Sequence, residues 1–499
     1  MKARTIIIGG GIGALAAACL LSKTGHPVTV LEQNEQLGGR AGQIRAQGFT
    51  FDTGPSWYLM PDVFEHFFNL LGEQPKEYMR LKKLAPSYRV FYKGSGQQLD
   101  ITSNPETDAA AFETIEPGAG SRLRAYLGQS AYMYDVSTKR FLYKNYDHLS
   151  DFMTPQVLRA GANLHIFSKL DRYVRGYFTD SRLQKLMEYP MMFLGASPYR
   201  APAFYSLMSH VDFAQGVYYP MGGIYTLVQA LVAIGKKHGV VYRTNTPVTK
   251  IITKNGAACG VIAGGHELPA DIVISNADMH FTETKLLNPA ERDHATRYWN
   301  SRTLAPSALL MYLGVNRQYP TLTHHNLLFS ENWRNNFTEL FGGQRFPADP
   351  SLYVCAPSKT DPSVAPKGCE NLFVLAPVAA KLRYSQEQLQ AFADRTLQTL
   401  TRELHLPNLT QHIVYKKLFC VDDFASRYNS QGGTALGLSH TLQQTALFRP
   451  ANKSKKVKGL YYVGAGVHPG IGMPSALISA ELLYMRLTNN RSAGPLDHL

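Results

Sequence analysis

Cysteine is sparse and scattered in this 499-residue chain. Cys19, Cys259, Cys355, Cys369 and Cys420 are odd in number, far apart and contain no CxxC pair. That spacing argues against a disulfide framework and against a zinc site, so no metal is expected and a reducing cytoplasm fits. Tryptophan occurs 3 times, against 28 Tyr and 24 Phe. A large apolar cavity with polar tips would use such residues, and so would an ordinary core. Acidic residues are outnumbered, 37 against 51 Lys plus Arg, giving a formal net charge of +14. Such an excess suits an anionic surface, either nucleic acid or the phosphate layer of a membrane. The one dense basic knot is Lys453, Lys455, Lys456 and Lys458. No RNA or DNA module signature accompanies it, so no nucleic-acid partner is expected. No stretch reaches about 18 uninterrupted apolar residues, so no transmembrane helix is expected. H-E-x-x-H, G-x-S-x-G and Walker A patterns are missing, which leaves zinc hydrolysis, serine hydrolysis and NTPase chemistry without support.

What is present is globular: 44% hydrophobic and 18% charged residues exclude a disordered or fibrous chain. The length exceeds one simple core and predicts two or three domains. The N-terminus is the most informative stretch. Ile6 to Leu21 is nearly all apolar or glycine and follows Lys2 and Arg4, as a signal peptide would. Yet glycines interrupt the run and no clear cleavage site ends it. A phosphate-binding turn explains the glycines better.

Thr5-Ile6-Ile7-Ile8 reads as a buried strand. Gly9-Gly10-Gly11-Ile12-Gly13-Ala14 follows, then a helix-forming run to Leu21, and Val28-Thr29-Val30-Leu31-Glu32 reads as a second strand. In a dinucleotide-binding unit Gly9 allows the tight turn, Gly11 admits a pyrophosphate, and small Ala14 lets the helix pack closely. The helix N-terminus offers free N–H groups to the phosphate. Glu32 stands where a ribose-binding acid belongs. The bland alternative is a glycine-rich turn in an ordinary βαβ unit, and the motif alone does not separate NAD from FAD.

The segments that follow do separate them. Leu37-Gly38-Gly39-Arg40 would by itself read as a surface turn. Followed by Phe49-Thr50-Phe51-Asp52-Thr53-Gly54-Pro55, it resembles the flavin-dependent amine oxidase and carotenoid desaturase superfamily. At the far end, Gly459 to Gly466 reads as a strand entering a second glycine turn. His468-Pro469-Gly470 and Gly472-Met473-Pro474 then lead into a helix over Ser475–Leu483. This segment closely resembles the C-terminal signature of bacterial-type carotenoid desaturases, the phytoene and diapophytoene desaturases. Tyr219 to Tyr225 and Asp271 to Asp278 match the same family, so the likeness runs from about residue 4 to about residue 485.

The resemblance implies an α/β fold: a discontinuous Rossmann-like FAD-binding domain of glutathione-reductase/amine-oxidase type, plus a mixed α+β substrate domain. The FAD-binding pieces would be 1–100, 211–284 and 441–499, and the substrate pieces 101–210 and 285–440. It implies FAD contacts from Gly9, Gly11, Gly13, Ala14, Glu32, Gly39, Arg40, Gly54, Val248, Gly464, Ala465, Gly472 and Met473.

The implied activity is desaturation of an acyclic C30 or C40 carotene, with quinone or oxygen as electron acceptor. In such an enzyme the flavin carries the redox step and the protein positions the substrate. A hydrocarbon gives no charge to recognise, so its binding rests on burial, roughly 0.8 kcal/mol per CH₂. His468, Asp147 and His148 are the acid–base candidates, although His468-Pro469 also reads as a turn-shaping pair. A carotenoid end-group oxidase, isomerase or saturase, an amine oxidase, or a non-catalytic flavin or lipid carrier are the alternatives. The basic, apolar stretch Phe152–Phe178 suits either a membrane-surface helix or a helix packed on its own core. With the net charge, it suggests a cytoplasmic protein held peripherally at a membrane surface.

Overall fold

The computed structural model of the protein describes residues 2–147, 165–492 and 494–499. A five-stranded parallel sheet carries the N-terminal unit, in the order Leu460–Tyr462, Ile272–Ser275, Thr5–Ile8, Val28–Leu31, Val241–Arg243. Its strands come from the beginning, middle and end of the chain, as expected for a discontinuous domain. Thr5–Ile8 is buried along its whole length, which suits a central parallel strand covered on both faces. The helix Ile12–Lys23 is buried on every side from Ile12 to Ser22. It packs against helices Tyr225–Lys237 and Met473–Leu487, so its alanines and leucines need no polar face. The β-strand Val248–Lys254 turns through Asn255 and Gly256, both in the left-handed region, as a tight Asn-Gly hairpin requires.

A seven-stranded sheet forms the second unit: Ile413–Phe419, Ser307–Val315, Glu370–Val378, Leu352–Cys355, His325–Phe329, Tyr88–Tyr92, Gln97–Ile101. Ser307–Val315 shows why it is central. Ala308, Leu310 and Tyr312 face an aromatic-rich core, while Leu309, Met311, Leu313 and Val315 face the core under helix Gln386–Glu403. Alternate residues of a strand point to opposite faces, so both faces are apolar. Tyr88–Tyr92 and Gln97–Ile101 belong to this sheet, so the chain enters the second unit before residue 100, earlier than its sequence suggested. The hairpin Gln43–Ala46/Phe49–Asp52 ties the halves together. Asp52 accepts N–H bonds from Ile224 and Tyr225, while Thr50 and Thr53 carbonyls accept from Asn371 and Tyr312.

Candidate functional site

Three strands of the parallel sheet end side by side, and each continues into a loop that serves the same place. Gly9 follows Ile8, Asn276 follows Ser275, and Val463-Gly464 follows Tyr462. Ligands of open α/β sheets bind in the crevice beyond such carboxyl ends. Asn276 laces the three together: its backbone N–H donates to Ile8 and its side-chain amide to Val463, the latter at 2.9 Å. The neighbouring strand supplies Glu32, buried, whose Oε2 accepts from Gly10 N–H at 2.7 Å and whose Oε1 accepts from Asn34. The segment leading to Val248 runs beside it, since Asn245 and Thr246 donate to the carbonyls of Asn34 and Glu32.

The expected FAD fits this cradle on three observations. First, the helices starting at Ile12 and Met473 have Gly11 and Gly472 as N-caps, and neither has a side-chain cap. Their first N–H groups lack an intrahelical partner and remain for an anion. Second, the walls are bare backbone. A Cβ on Gly13 would lie 2.9 Å from Gly464 Cα, and one on Gly39 would lie 3.2 Å from Gly11 Cα. Third, Arg40 has no carboxylate partner among the described residues. One guanidinium nitrogen donates to Ser430 Oγ at 3.1 Å, while Nε is sealed from solvent and bonds none of them. Burial pulls its pKa below the usual arginine range, with Asp278 acting weakly the other way. A phosphate oxygen would satisfy that unpaired cation. Thr53 Oγ1 bonds the Arg40 carbonyl, and Gly54 packs against the same carbonyl, which holds the arginine loop in place. Ala14 is fully buried against the sheet and Met473 is buried in the same core.

The His-Pro-Gly loop has a support that sequence reading missed. Arg449 is buried and donates to the carbonyls of Leu438, Gln444 and Ala465. Burial brings its pKa down to about 10. His440 accepts Ile471 N–H on Nε2 at 3.2 Å, which leaves the proton on Nδ1 beside Tyr205 Oη at 2.8 Å. Gly470 passes so close that a Cβ there would lie 2.6 Å from His440 Cε1. Gly472 differs: its φ is +118° and nothing approaches a Cβ closer than 3.7 Å. Backbone angle, rather than space, demands glycine at that position.

The acid–base candidates fare differently. His468 Nε2 lies 3.3 Å from the Phe141 carbonyl, and its ring meets Tyr146 edge-on. Burial, reinforced by Arg449, lowers its pKa to about 4. The imidazole is therefore neutral near pH 7. Asp147 is bound bidentately by Arg486 at 2.9 and 3.0 Å, with Lys453 at 3.6 Å. Arg486 sits in the last turn of the helix that Met473 begins, roughly 20 Å from its start at 1.5 Å per residue. Asp147 thus anchors the far end of that helix, away from the cradle. His148 lies outside the described residues. So does 151–164, the first half of the basic apolar stretch. In the second half, helix Leu170–Arg175 buries Leu170 and Val174, and Phe178 is buried beyond it. These face the protein's own core, while Phe167 is 91% exposed.

Residues 15–482 match the flavin containing amine oxidoreductase family. A carotenoid 3,4-desaturase of Haloarcula japonica is 44% identical over 95% of this chain and 96% of its own length. A zeta-carotene-forming phytoene desaturase of Myxococcus xanthus is 36% identical, covering 97% of this chain and 93% of the relative. Among solved structures, an oxidoreductase from Methanosarcina mazei superposes with a TM-score of 0.66 at 18% identity, over 97% of this chain and all of that one. The last likeness concerns the fold alone.

Proposed function

The chain belongs to the carotenoid desaturase family within the flavin-containing amine oxidoreductases, and from that premise we propose that it desaturates an acyclic carotene of C40 or C30 length. Its cofactor is FAD, and its class is that of FAD oxidoreductases acting on CH–CH bonds. The observation that carries the proposal is the pairing of the two-ended glycine cradle with near-full-length similarity to carotenoid desaturases. Bound FAD would supply the acceptor for a hydride leaving a saturated carbon, while a proton leaves the neighbouring carbon.

The chain's own residues do the holding. Glu32 and the uncapped helix ends bind the dinucleotide, and Arg40 neutralises phosphate. The loop held by Arg449 and His440 sets one wall. The aromatic core containing Tyr88, Tyr189, Phe193 and Tyr353 offers hydrocarbon-compatible burial beside it. The relative's name favours a second, finer reading, in which the 3,4 bond near one chain end is the one oxidised. Cells that accumulate phytoene, 4,4'-diapophytoene or lycopene would each receive the protein, and their pigments would be analysed. New double bonds in one of the three identify the substrate; unchanged pigment in all three, with FAD-loaded protein present, refutes the proposal.

The carotene would reach this site from a lipid phase. Among the described residues no helix is long and apolar enough to cross a membrane. Exposed Phe167 adjoins Ser168, whose carbonyl accepts from Ala203, and Tyr205 reaches Thr445 between exposed Leu442 and Phe448. These apolar tips therefore share one region, flanked by exposed Lys169 and Arg172. We assign it to peripheral contact with anionic lipid. Quinone or oxygen completes the turnover as electron acceptor.

A further inference from the structure

His324, His325 and Cys355 lie far apart in sequence spacing from any metal motif, yet the seven-stranded sheet brings them together. His325–Phe329 pairs antiparallel with Leu352–Cys355, and the register sets His325 directly opposite Cys355. One ring nitrogen of each histidine and Cys355 Sγ lie within 4.8 Å of one another. All three residues are buried, at 4%, 0% and 2% exposure.

The bonding around them is one-sided. His324 Nδ1 meets Thr360 Oγ1 at 2.8 Å, and His325 Nδ1 meets Tyr353 Oη at 2.8 Å. Both Nε2 atoms are sealed from solvent with no partner among the described residues. Two buried, unpaired ring nitrogens are costly unless a ligand satisfies them. Metal-ligating histidines show this pattern: one nitrogen is oriented by a hydroxyl, carboxylate or carbonyl, and the other is left for the ion. Trp57 stacks on His325 at 4.5 Å and 10°, which fixes that ring's plane.

We propose that His324 Nε2, His325 Nε2 and Cys355 Sγ form a binding site for a thiophilic divalent transition ion, with zinc as the representative. Two imidazoles and one thiolate are a donor set for tetrahedral zinc, and three protein ligands leave a fourth position for water or another oxygen donor. Binding replaces the thiol proton with the metal, and that proton leaves to solvent. No electron transfer is involved. Tyr353 links His325 to Ser56, two residues after Gly54, and the metal assignment does not depend on the carotene assignment.

Cobalt(II) is the probe, because a cobalt–thiolate bond absorbs visibly. FAD-loaded protein produced in cobalt-supplemented medium would be desalted, and its metal content and absorption measured. One cobalt per chain with a thiolate-to-cobalt charge-transfer band is expected. The band should vanish in Cys355→Ala and persist in Cys369→Ala. His324→Gln, which keeps a polar side chain, should lose most of the metal, and Thr360→Val should weaken binding by about 10–100-fold, as loss of an orienting partner does. Bound flavin reports folding in each variant. Wild-type protein without stoichiometric cobalt, or a band unchanged in folded Cys355→Ala or His324→Gln, would overturn the proposal.

Discussion

Gly13 and Gly464 meet backbone to backbone, one in the first turn of the N-terminal helix and the other in the turn after the last sheet strand. A Cβ on Gly13 would stand 2.9 Å from Gly464 Cα and 3.2 Å from Asn276 Nδ2. Real side chains do not tolerate the first distance, and the obstacle is backbone, which cannot swing aside. Gly13→Val should therefore push the two ends of the cradle apart. Flavin absorbance after desalting should fall at least tenfold, while the seven-stranded unit, far along the chain, keeps its fold by circular dichroism. Full FAD retention in that variant would show that the junction is not part of the cofactor site.

Glu32 has one observed job and one proposed. Its carboxylate ties down Gly10 and Asn34, and the proposed second job is to accept from the ribose. Glu32→Gln keeps one acceptor oxygen but brings an N–H₂ towards a donor that needs an acceptor. Leaving such a buried donor unsatisfied costs about 1–3 kcal/mol. Thermal unfolding of the apoprotein should register that loss, and FAD affinity should fall further than apoprotein stability does. Equal losses in both would mean that Glu32 serves the turn and not the ribose.

The ends of the chain were legible because local chemistry repeats there. Gly9, Gly11, Gly13 and Ala14 serve one helix start, and their meaning needs only the strand before them and the helix after. Gly464 to Met473 follow the same logic. Arg449 and His440 were not legible, because nothing local distinguishes a buried arginine bonded to three carbonyls from a surface one. The His324–His325–Cys355 cluster was hidden for another reason. Metal spacing rules read one contiguous stretch, whereas here the ligands meet through strand register across a connection of about thirty residues. Asp147 misled in the opposite direction: proximity in sequence to a pocket-like stretch says nothing about Arg486, which holds it at the helix end.

Three buried acids contribute to the pH dependence of stability, one of them Asp52, which burial raises from 3.8 to about 7. Burial raises Asp212 from 3.8 to about 7, against hydrogen bonds from Tyr189 and Tyr88. Burial raises Glu188 from 4.5 to about 8, against the Trp333 indole N–H. All three groups hold a proton more tightly folded than unfolded. Their contribution is complete below the unfolded values and is lost as pH rises through about 7 to 8. Denaturant midpoints should therefore fall between pH 5 and pH 8, a window set by the cited shifts. Asp212→Asn with Glu188→Gln should reduce that slope and leave the share due to Asp52. A double variant with the wild-type slope would remove these two acids from the account.

Peripheral lipid contact has a direct readout. Each basic side chain near an anionic surface contributes about 1 kcal/mol, and salt screens it. FAD-loaded protein should sediment with phosphatidylglycerol vesicles at low ionic strength and be released by salt. Lys169→Glu with Arg172→Glu should weaken binding several-fold, and Phe167→Ser should weaken the salt-resistant fraction. Equal sedimentation of all these variants would place the lipid-facing surface elsewhere.

His468 and Gly472 distinguish a loop that shapes the site from one that handles protons. His468 is neutral above pH about 4 because it is buried beside Arg449, so it can donate no proton at pH 7 through an imidazolium. Its Nδ1 has no partner among the described residues, and Nε2 is already directed at the Phe141 carbonyl. A shaping role predicts that His468→Ala lowers desaturation by less than about tenfold, whereas general acid–base catalysis contributes about 10²–10⁴-fold. Gly472 is the sharper probe. At φ +118° with open space around it, a β-branched residue must either strain or move the first turn of the Met473 helix. Gly472→Val should abolish desaturation and lower FAD retention, and Gly472→Ala should lie between the two. The pH profile of extracted-pigment desaturation decides the histidine's part. An unchanged profile in His468→Ala leaves it as a support, while loss of an ionisation between pH 5 and 8 would make it the proton-handling group (the window where an ordinary imidazole titrates, about 6.5).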